Sequence, residues 1–181
     1  MEIIETFEQG PYTNEDYWAT SEDKNVELIE GHFYNMAPPS RIHQKITTEI
    51  VTIINNYIKA NSGKCEVYPA PFAVKLNDKT VIEPDISVIC DKDKLDNRGC
   101  NGSPDFIAEI VSPSNPSNDY IKKLGLYQHY GVREYWIVNP MRKTVLVYFF
   151  ENDVAPISYT FEEAIKVNIY DDLYICLKDV D

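Results

Sequence analysis

Two carboxylates sit where the chain ought to be dry. Asp85 follows Glu83-Pro84 and leads into the apolar run Ile86-Ser87-Val88-Ile89, and Glu109 lies inside the apolar segment 106–111. A Glu in so short an apolar strand is costly unless it is paired, hydrogen-bonded or metal-bound. Strand alternation sets Glu109 on the face of Ile107 and Val111. If segments 80–90 and 106–111 are neighbouring strands, the two carboxylates meet. Such a pair repels, which raises a pKa or recruits a cation. A hard divalent cation such as Mg²⁺ favours these oxygen ligands. Plainer roles exist for each residue: Asp85 as the cap of a turn after Pro84, and Glu109 in a structural ion pair with Lys123 or Arg133. For Lys123 the plainer role is a surface pair with Asp119, four residues earlier on a helix, worth about 0.3–0.5 kcal/mol.

The elements that must position these groups can be read from the pattern. Thr13-Asn14-Glu15-Asp16 resembles a capping box and starts a short helix. Segments 26–29 and 32–36 form a hairpin around Glu30-Gly31, and Pro38-Pro39 ends it. Ser40 is a natural N-cap for a helix over 41–60, whose stripe is Ile42, Ile46, Ile50, Ile53, Ile54, Tyr57 and Ile58. Asn61-Ser62-Gly63 stops it. Three strands follow: 65–76, bent or at an edge because of Pro69 and Pro71; 80–90, after the turn Asn77-Asp78-Lys79; and 106–111. The charged, Gly-containing segment 91–104 reads as a surface loop. A helix over 119–130 ends at Gly131 and sets Asp119, Lys123 and Tyr127 on one face. A hairpin, 134–138 and 144–150, turns at Asn139-Pro140. Short strand-like pieces close the chain near 157–161 and 174–177. Trp136, Tyr135 and Tyr127 read as core residues. The order predicts a mixed sheet with a helix on each side.

The 181 residues fit one domain over 1–181, and 44% apolar content with thirteen Tyr supports a core. No apolar run approaches the ~20 residues that span a bilayer. The start Met1-Glu2-Ile3-Ile4-Glu5 has no basic, apolar export signal, so a cytoplasmic place without membrane partners is expected. Cys65, Cys90, Cys100 and Cys176 form no C-x-x-C pair, so zinc is disfavoured and reduced thiols are expected. The net charge of −12 argues against a phosphate-binding face, but the acidity lies in the extensions. Residues 1–30 carry nine acids and one base, 151–181 eight and two, and 31–150 twelve acids and fourteen bases. A Gly-rich phosphate loop is missing, so a nucleotide-driven motor or kinase is not expected.

Several of these pieces together resemble a known family. They are Glu27-Leu28-Ile29-Glu30-Gly31, Ala37-Pro38-Pro39-Ser40 with His43-Gln44, Pro84-Asp85, Ser103-Pro104-Asp105 and Glu109-Ile110-Val111-Ser112-Pro113-Ser114. Asp119 with Lys123 and Tyr127, and Gly131-Val132-Arg133-Glu134-Tyr135-Trp136, complete the set. In this order and spacing, over about 20–150, the chain resembles the Uma-type proteins, a bacterial group in the PD-(D/E)XK restriction-endonuclease superfamily. The resemblance implies an α/β (α+β) restriction-endonuclease-like fold, a central mixed β-sheet flanked by helices. It implies that Asp85 and Glu109 hold Mg²⁺ or Mn²⁺. Val111 stands where the superfamily motif has its lysine, and Lys123 on the following helix takes that place. Glu27 is implied as a third acid of the catalytic set. His43 matches the pattern too, though on the isoleucine-striped helix it reads as an interfacial histidine rather than a ligand. The implied activity is hydrolysis of phosphodiesters, with DNA as substrate and a homodimer as the assembly. The competing reading, from a different class, is a catalytically inactive nucleic-acid-binding or interaction module that keeps the fold.

Overall fold

The computed structural model describes residues 10–21, 25–112, 117–152 and 154–180. Residues 113–116, between the expected strand 106–111 and the expected helix 119–130, lie outside the described residues. Helix α1 (Asn14–Ser21) starts at the expected box: the amide and the hydroxyl of Thr13 both donate to Asp16 Oδ2, at 2.8 and 2.9 Å. Strands β1 (Val26–Ile29) and β2 (His32–Asn35) pair antiparallel. Their tight turn needs two left-handed residues, and Glu30 (φ 50°) and Gly31 (φ 80°) supply them. Helix α2 (Arg41–Ala60) is capped by Ser40, whose hydroxyl accepts from the His43 amide, and it buries Ile46, Ile50, Ile54 and Ile58.

Beyond α2 the local reading needs correction. The expected strand 65–76 is two strands, β3 (Glu66–Pro69) and β4 (Val74–Asn77), separated by a bend at Pro71. The expected strand 80–90 is likewise two, β5 (Thr80–Ile82) and β6 (Ile86–Ile89), broken at Glu83-Pro84-Asp85. In each case the two halves belong to different sheets. The segment expected as a loop, 91–104, contains a 3-10 turn (Lys92–Lys94) and two short strands, β7 (Leu95–Asp96) and β8 (Gly99–Asn101). There Gly99 (φ 143°) passes so close to β4 that a Cβ would lie 2.1 Å from the Ala73 carbonyl oxygen. Strand β9 (Phe106–Ile110), helix α3 (Ser117–His129) and strand β10 (Glu134–Asn139) form a parallel β-α-β unit. Strands β11 (Thr144–Phe149), β12 (Ile157–Thr160), β13 (Ile165–Lys166) and β14 (Tyr174–Ile175) complete the described chain.

One mixed sheet has the order β12-β11-β10-β9-β6-β3, a second the order β2-β1-β5-β4-β8-β7, and β13-β14 form a small ribbon. Alternation along β9 divides the core. Phe106, Ala108 and Ile110 face the isoleucines of α2, together with Leu173, Ile175 and Leu177 of the C-terminal segment. Ile107 faces Tyr127 of α3, along with Val74, Ile82 and Cys100 of the second sheet. The first sheet is therefore the expected central mixed sheet with a helix on each face, and the second sheet is an addition to it. Trp136 and Tyr135 are fully buried, as expected. The thiols differ from expectation: Cys65 and Cys90 form a disulfide, whereas Cys100 and Cys176 are free. The cause is register, because β3 and β6 pair Glu66 with Ile89, which brings the flanking Cys65 and Cys90 opposite each other. No helix among the described residues is long and apolar enough to cross a membrane.

Candidate active site

The break at Glu83-Pro84-Asp85, where the chain leaves one sheet for the other, sets Asp85 at the head of β6. Strand β6 pairs antiparallel with β9, Ile86 opposite Ala108, and the same register carried one residue further puts Asp85 opposite Glu109. Helix α3 crosses the Glu109 face of this sheet. Two consecutive turns deliver Lys123 and Tyr127 to the same oxygen: Lys123 Nζ donates to Glu109 Oε1 at 2.9 Å and the Tyr127 hydroxyl at 2.6 Å. Strand β1 supplies Glu27, whose Oε1 accepts from Lys123 Nζ at 3.0 Å and from the Glu83 amide at 2.9 Å. Glu27, Glu109, Lys123 and Asp85 thus come from four elements and both sheets, and they meet. Glu27 and Glu109 are only 2% and 7% exposed in their side chains, and Lys123 11%. Asp85 Oδ2 accepts from the Ile110 amide at 2.7 Å and faces His43 Nε2 at 3.0 Å.

Glu27, His43, Asp85, Glu109 and Lys123 line one recess of about 430 Å³, together with Asn25, Pro38, Pro71, Glu83, Ser112 and Tyr120. A smaller recess of about 120 Å³ near Trp18 and Arg98 contains none of them. Burial pushes the Glu109 carboxyl up to about 7, against the opposing pull of the Lys123 ammonium; Asp85 and Glu27 add to the rise and the Tyr127 hydroxyl opposes it. Burial works against the charge on Lys123, but Glu109 and Glu27 outweigh it and hold the ammonium protonated well above its ordinary range. Burial also raises Glu83, opposed by the Tyr17 hydroxyl, which donates to it at 2.6 Å, and reinforced by Glu27. The site is therefore a buried cation held by two carboxylates, beside a third carboxylate locked by a backbone amide and an imidazole.

The ion pair that competed as a plain role for Glu109 is present, with Lys123 as partner, whereas Arg133 instead bonds Asp105 and Glu151. The expected Asp119 pairing falls on a side chain outside the described residues. Three contacts were not foreseen: His43 on Asp85, Tyr127 on Glu109, and Glu83 under Tyr17. A signal existed for two of them. His43 lies three residues before Ile46 and seven before Ile50, which places it on the buried face of α2, and Tyr127 follows Lys123 by one turn.

The chemistry of the donor set fits a divalent cation of the Mg²⁺ type. Asp85 Oδ1 and Glu109 Oε2 take no part in the contacts above, and Mg²⁺ is commonly held by one or two carboxylates with water completing its shell. Among the described residues, no group of three or more His, Cys, Asp or Glu is arranged to hold a metal ion.

Comparisons with known proteins bear on the fold and the family. A crystal structure described as "a putative nuclease belonging to DUF820" from Anabaena variabilis matches with a TM-score of 0.79, covering 94% of this chain and 97% of that one at 22% identity. An uncharacterized protein of Synechocystis sp. is 24% identical over 137 residues, 75% of this chain and 71% of that protein. The Uma2 family model, described as "Putative restriction endonuclease", matches residues 5–171. With that match spanning every element that carries the site, the chain belongs to the Uma2 family.

Proposed function

We propose that this protein is a Mg²⁺-dependent endonuclease that hydrolyses phosphodiester bonds of DNA in the recess between Asp85, Glu109 and Lys123. The observation that supports the reading best is the register placing Asp85 opposite Glu109, with Lys123 Nζ 2.9 Å from Glu109. Asp85 Oδ1 and Glu109 Oε2 would hold the cation. When bound, a divalent cation supplies charge neutralisation at the phosphate and makes water a stronger nucleophile. Lys123 would orient the attacking water or neutralise charge growing on the phosphate. Glu27 would act on Lys123: from its position on β1 it fixes the ammonium beside Glu109. Tyr127 would hold Glu109 in the same way. Cutting both strands of a duplex calls for two such sites, which a homodimer would supply. One domain over the whole chain, working in the cytoplasm where DNA and Mg²⁺ occur together, completes the reading.

The test is cleavage of supercoiled plasmid, linear duplex and single-stranded DNA with Mg²⁺ or Mn²⁺ at low salt. Asp85→Ala, Glu109→Ala and Lys123→Ala run alongside wild type. Metal-dependent cutting lost in all three variants is the expected result. Cutting that survives them would place the activity elsewhere and refute the assignment. The second reading, a binding module without catalysis, is favoured by one observation. Lys123 is already neutralised by two buried carboxylates, so its charge can serve the fold alone. Folded protein that cuts no substrate and takes up no metal would be the result expected of it.

A further inference from the structure

We infer, on the footing of the metal-dependent reading above, that His43 is a positioning residue: it fixes the carboxylate plane of Asp85 so that Oδ1 faces the cation site. Two donors meet on the other oxygen. The Ile110 amide reaches Asp85 Oδ2 at 2.7 Å and His43 Nε2 lies 3.0 Å from it. Ile110 is the neighbour of Glu109 on β9, so the first donor ties Asp85 to the backbone that carries the other carboxylate. The second donor comes from outside the sheet. His43 stands in the first turn of α2, where its own amide donates to Ser40 Oγ at 3.3 Å, and the helix behind it is anchored by Ile46 and Ile50. With one donor, a carboxylate still rotates about its Cβ–Cγ bond. A second donor from a different element removes that freedom.

The tautomer follows from the same contacts. Facing a carboxylate oxygen, Nε2 carries the proton. Among the described residues the buried Nδ1 has no hydrogen-bond partner, so a lone pair there is less costly than an unmatched N–H. His43 thus serves as an oriented N–H donor to Asp85. Groups that orient a metal-binding side chain change metal affinity by about 10–100-fold when removed. Because the Ile110 amide remains in every variant, loss of His43 loosens Asp85 without freeing it.

The experiment is Mn²⁺ binding to the full chain, followed by titration calorimetry and by the resonance signal of free Mn²⁺. The proteins are wild type, Asp85→Asn, His43→Leu and His43→Gln, with folding checked by circular dichroism. Leu keeps the bulk and deletes the donor, and the Gln amide restores a donor of similar reach. The expected result is binding by wild type and loss in Asp85→Asn. His43→Leu should weaken binding by about 10–100-fold, and His43→Gln should recover most of that loss. A His43→Leu protein within twofold of wild type, while Asp85→Asn has lost the ion, overturns the role of His43 and leaves the metal-dependent reading standing. His43→Gln as weak as His43→Leu also overturns it, since a packing defect and not a missing donor would then be responsible. Wild type that binds no Mn²⁺, or binding indifferent to Asp85→Asn, brings down both. If His43→Leu does not fold, His43→Asn replaces it: its shorter amide should bind more weakly than His43→Gln, and equal affinities refute the inference.

Discussion

Replacing Lys123 by Met separates a buried charge from its solvent-exposed equivalents. Lys123 Nζ lies 3.0 Å from Glu27 and 2.9 Å from Glu109, with side chains 2% and 7% exposed. Met keeps the length of the stem but removes the ammonium. Glu27 Oε1 then retains only the Glu83 amide of its two donors, and Glu109 Oε1 only the Tyr127 hydroxyl. Breaking a buried pair by removing one partner costs about 3–5 kcal/mol, because each carboxylate left behind is either an uncompensated buried charge or must take up a proton at the assay pH. A domain of this kind holds about 5–15 kcal/mol in total, so the variant should be severely weakened. The control is Lys92→Met. Lys92 also lies 3.0 Å from a carboxylate, Glu66, but those side chains are 59% and 37% exposed, and such a pair is worth below about 1 kcal/mol. Urea unfolding at pH 7, followed by fluorescence of Trp18 and Trp136, gives both differences from the midpoint and slope. Equal losses in Lys123→Met and Lys92→Met would refute the claim that burial rather than distance sets the strength of the triad. Adding Glu27→Gln and Glu109→Gln to Lys123→Met should recover part of the loss, since the stranded charges are then gone.

The disulfide closes a segment with a sequence separation of 25, so Cys65→Ser with Cys90→Ser should lower unfolding free energy by about 3–4 kcal/mol on the chain-entropy account, read by urea unfolding of oxidised protein. Ile54→Ala, which empties a fully buried position between α2 and the central sheet, should cost about 2–5 kcal/mol in the same assay, against a smaller loss for the partly exposed Ile53→Ala. Glu134 accepts from Trp136 Nε1, Asn168 Nδ2 and the Ile169 amide, and burial raises its pKa above 4.5 in spite of those bonds. The folded state therefore holds the Glu134 proton to higher pH than the unfolded chain does, and this part of the stability is lost as pH rises from 4.5 through the raised value. Glu134→Gln should remove that fall, so its deficit against wild type should be largest at acid pH and narrow upward, measured as unfolding free energy from pH 4 to 8.

Much of the local frame was legible because it is written in neighbouring residues. Helix α2 announces itself by a stripe at helical spacing between the Ser40 cap and the stop at Asn61-Ser62-Gly63, and the first hairpin by two residues able to adopt a left-handed backbone. The candidate site was legible through cost: a Glu inside an apolar strand, and an Asp at the head of another, demand an explanation that a surface Glu does not. Family resemblance then supplied roles that spacing alone could not.

Local pattern reports an extended backbone but not the strand it pairs with, and so segments 65–76 and 80–90 read as two strands where the fold has four, divided between two sheets. The break between β5 and β6 is what sets Asp85 at the junction of the sheets. The partners of the buried charges lie far off along the chain: Lys123 is 96 residues from Glu27 and 14 from Glu109. Cys65 and Cys90 meet through a strand register, and His43 meets Asp85 through the packing of α2 on the central sheet. By itself the sequence determined which residues must be buried and which of them carry charge. Only the tertiary structure decided which charge answers which, because in a desolvated core a carboxylate is paired by whatever donors the packed elements bring within reach, not by its neighbours along the chain.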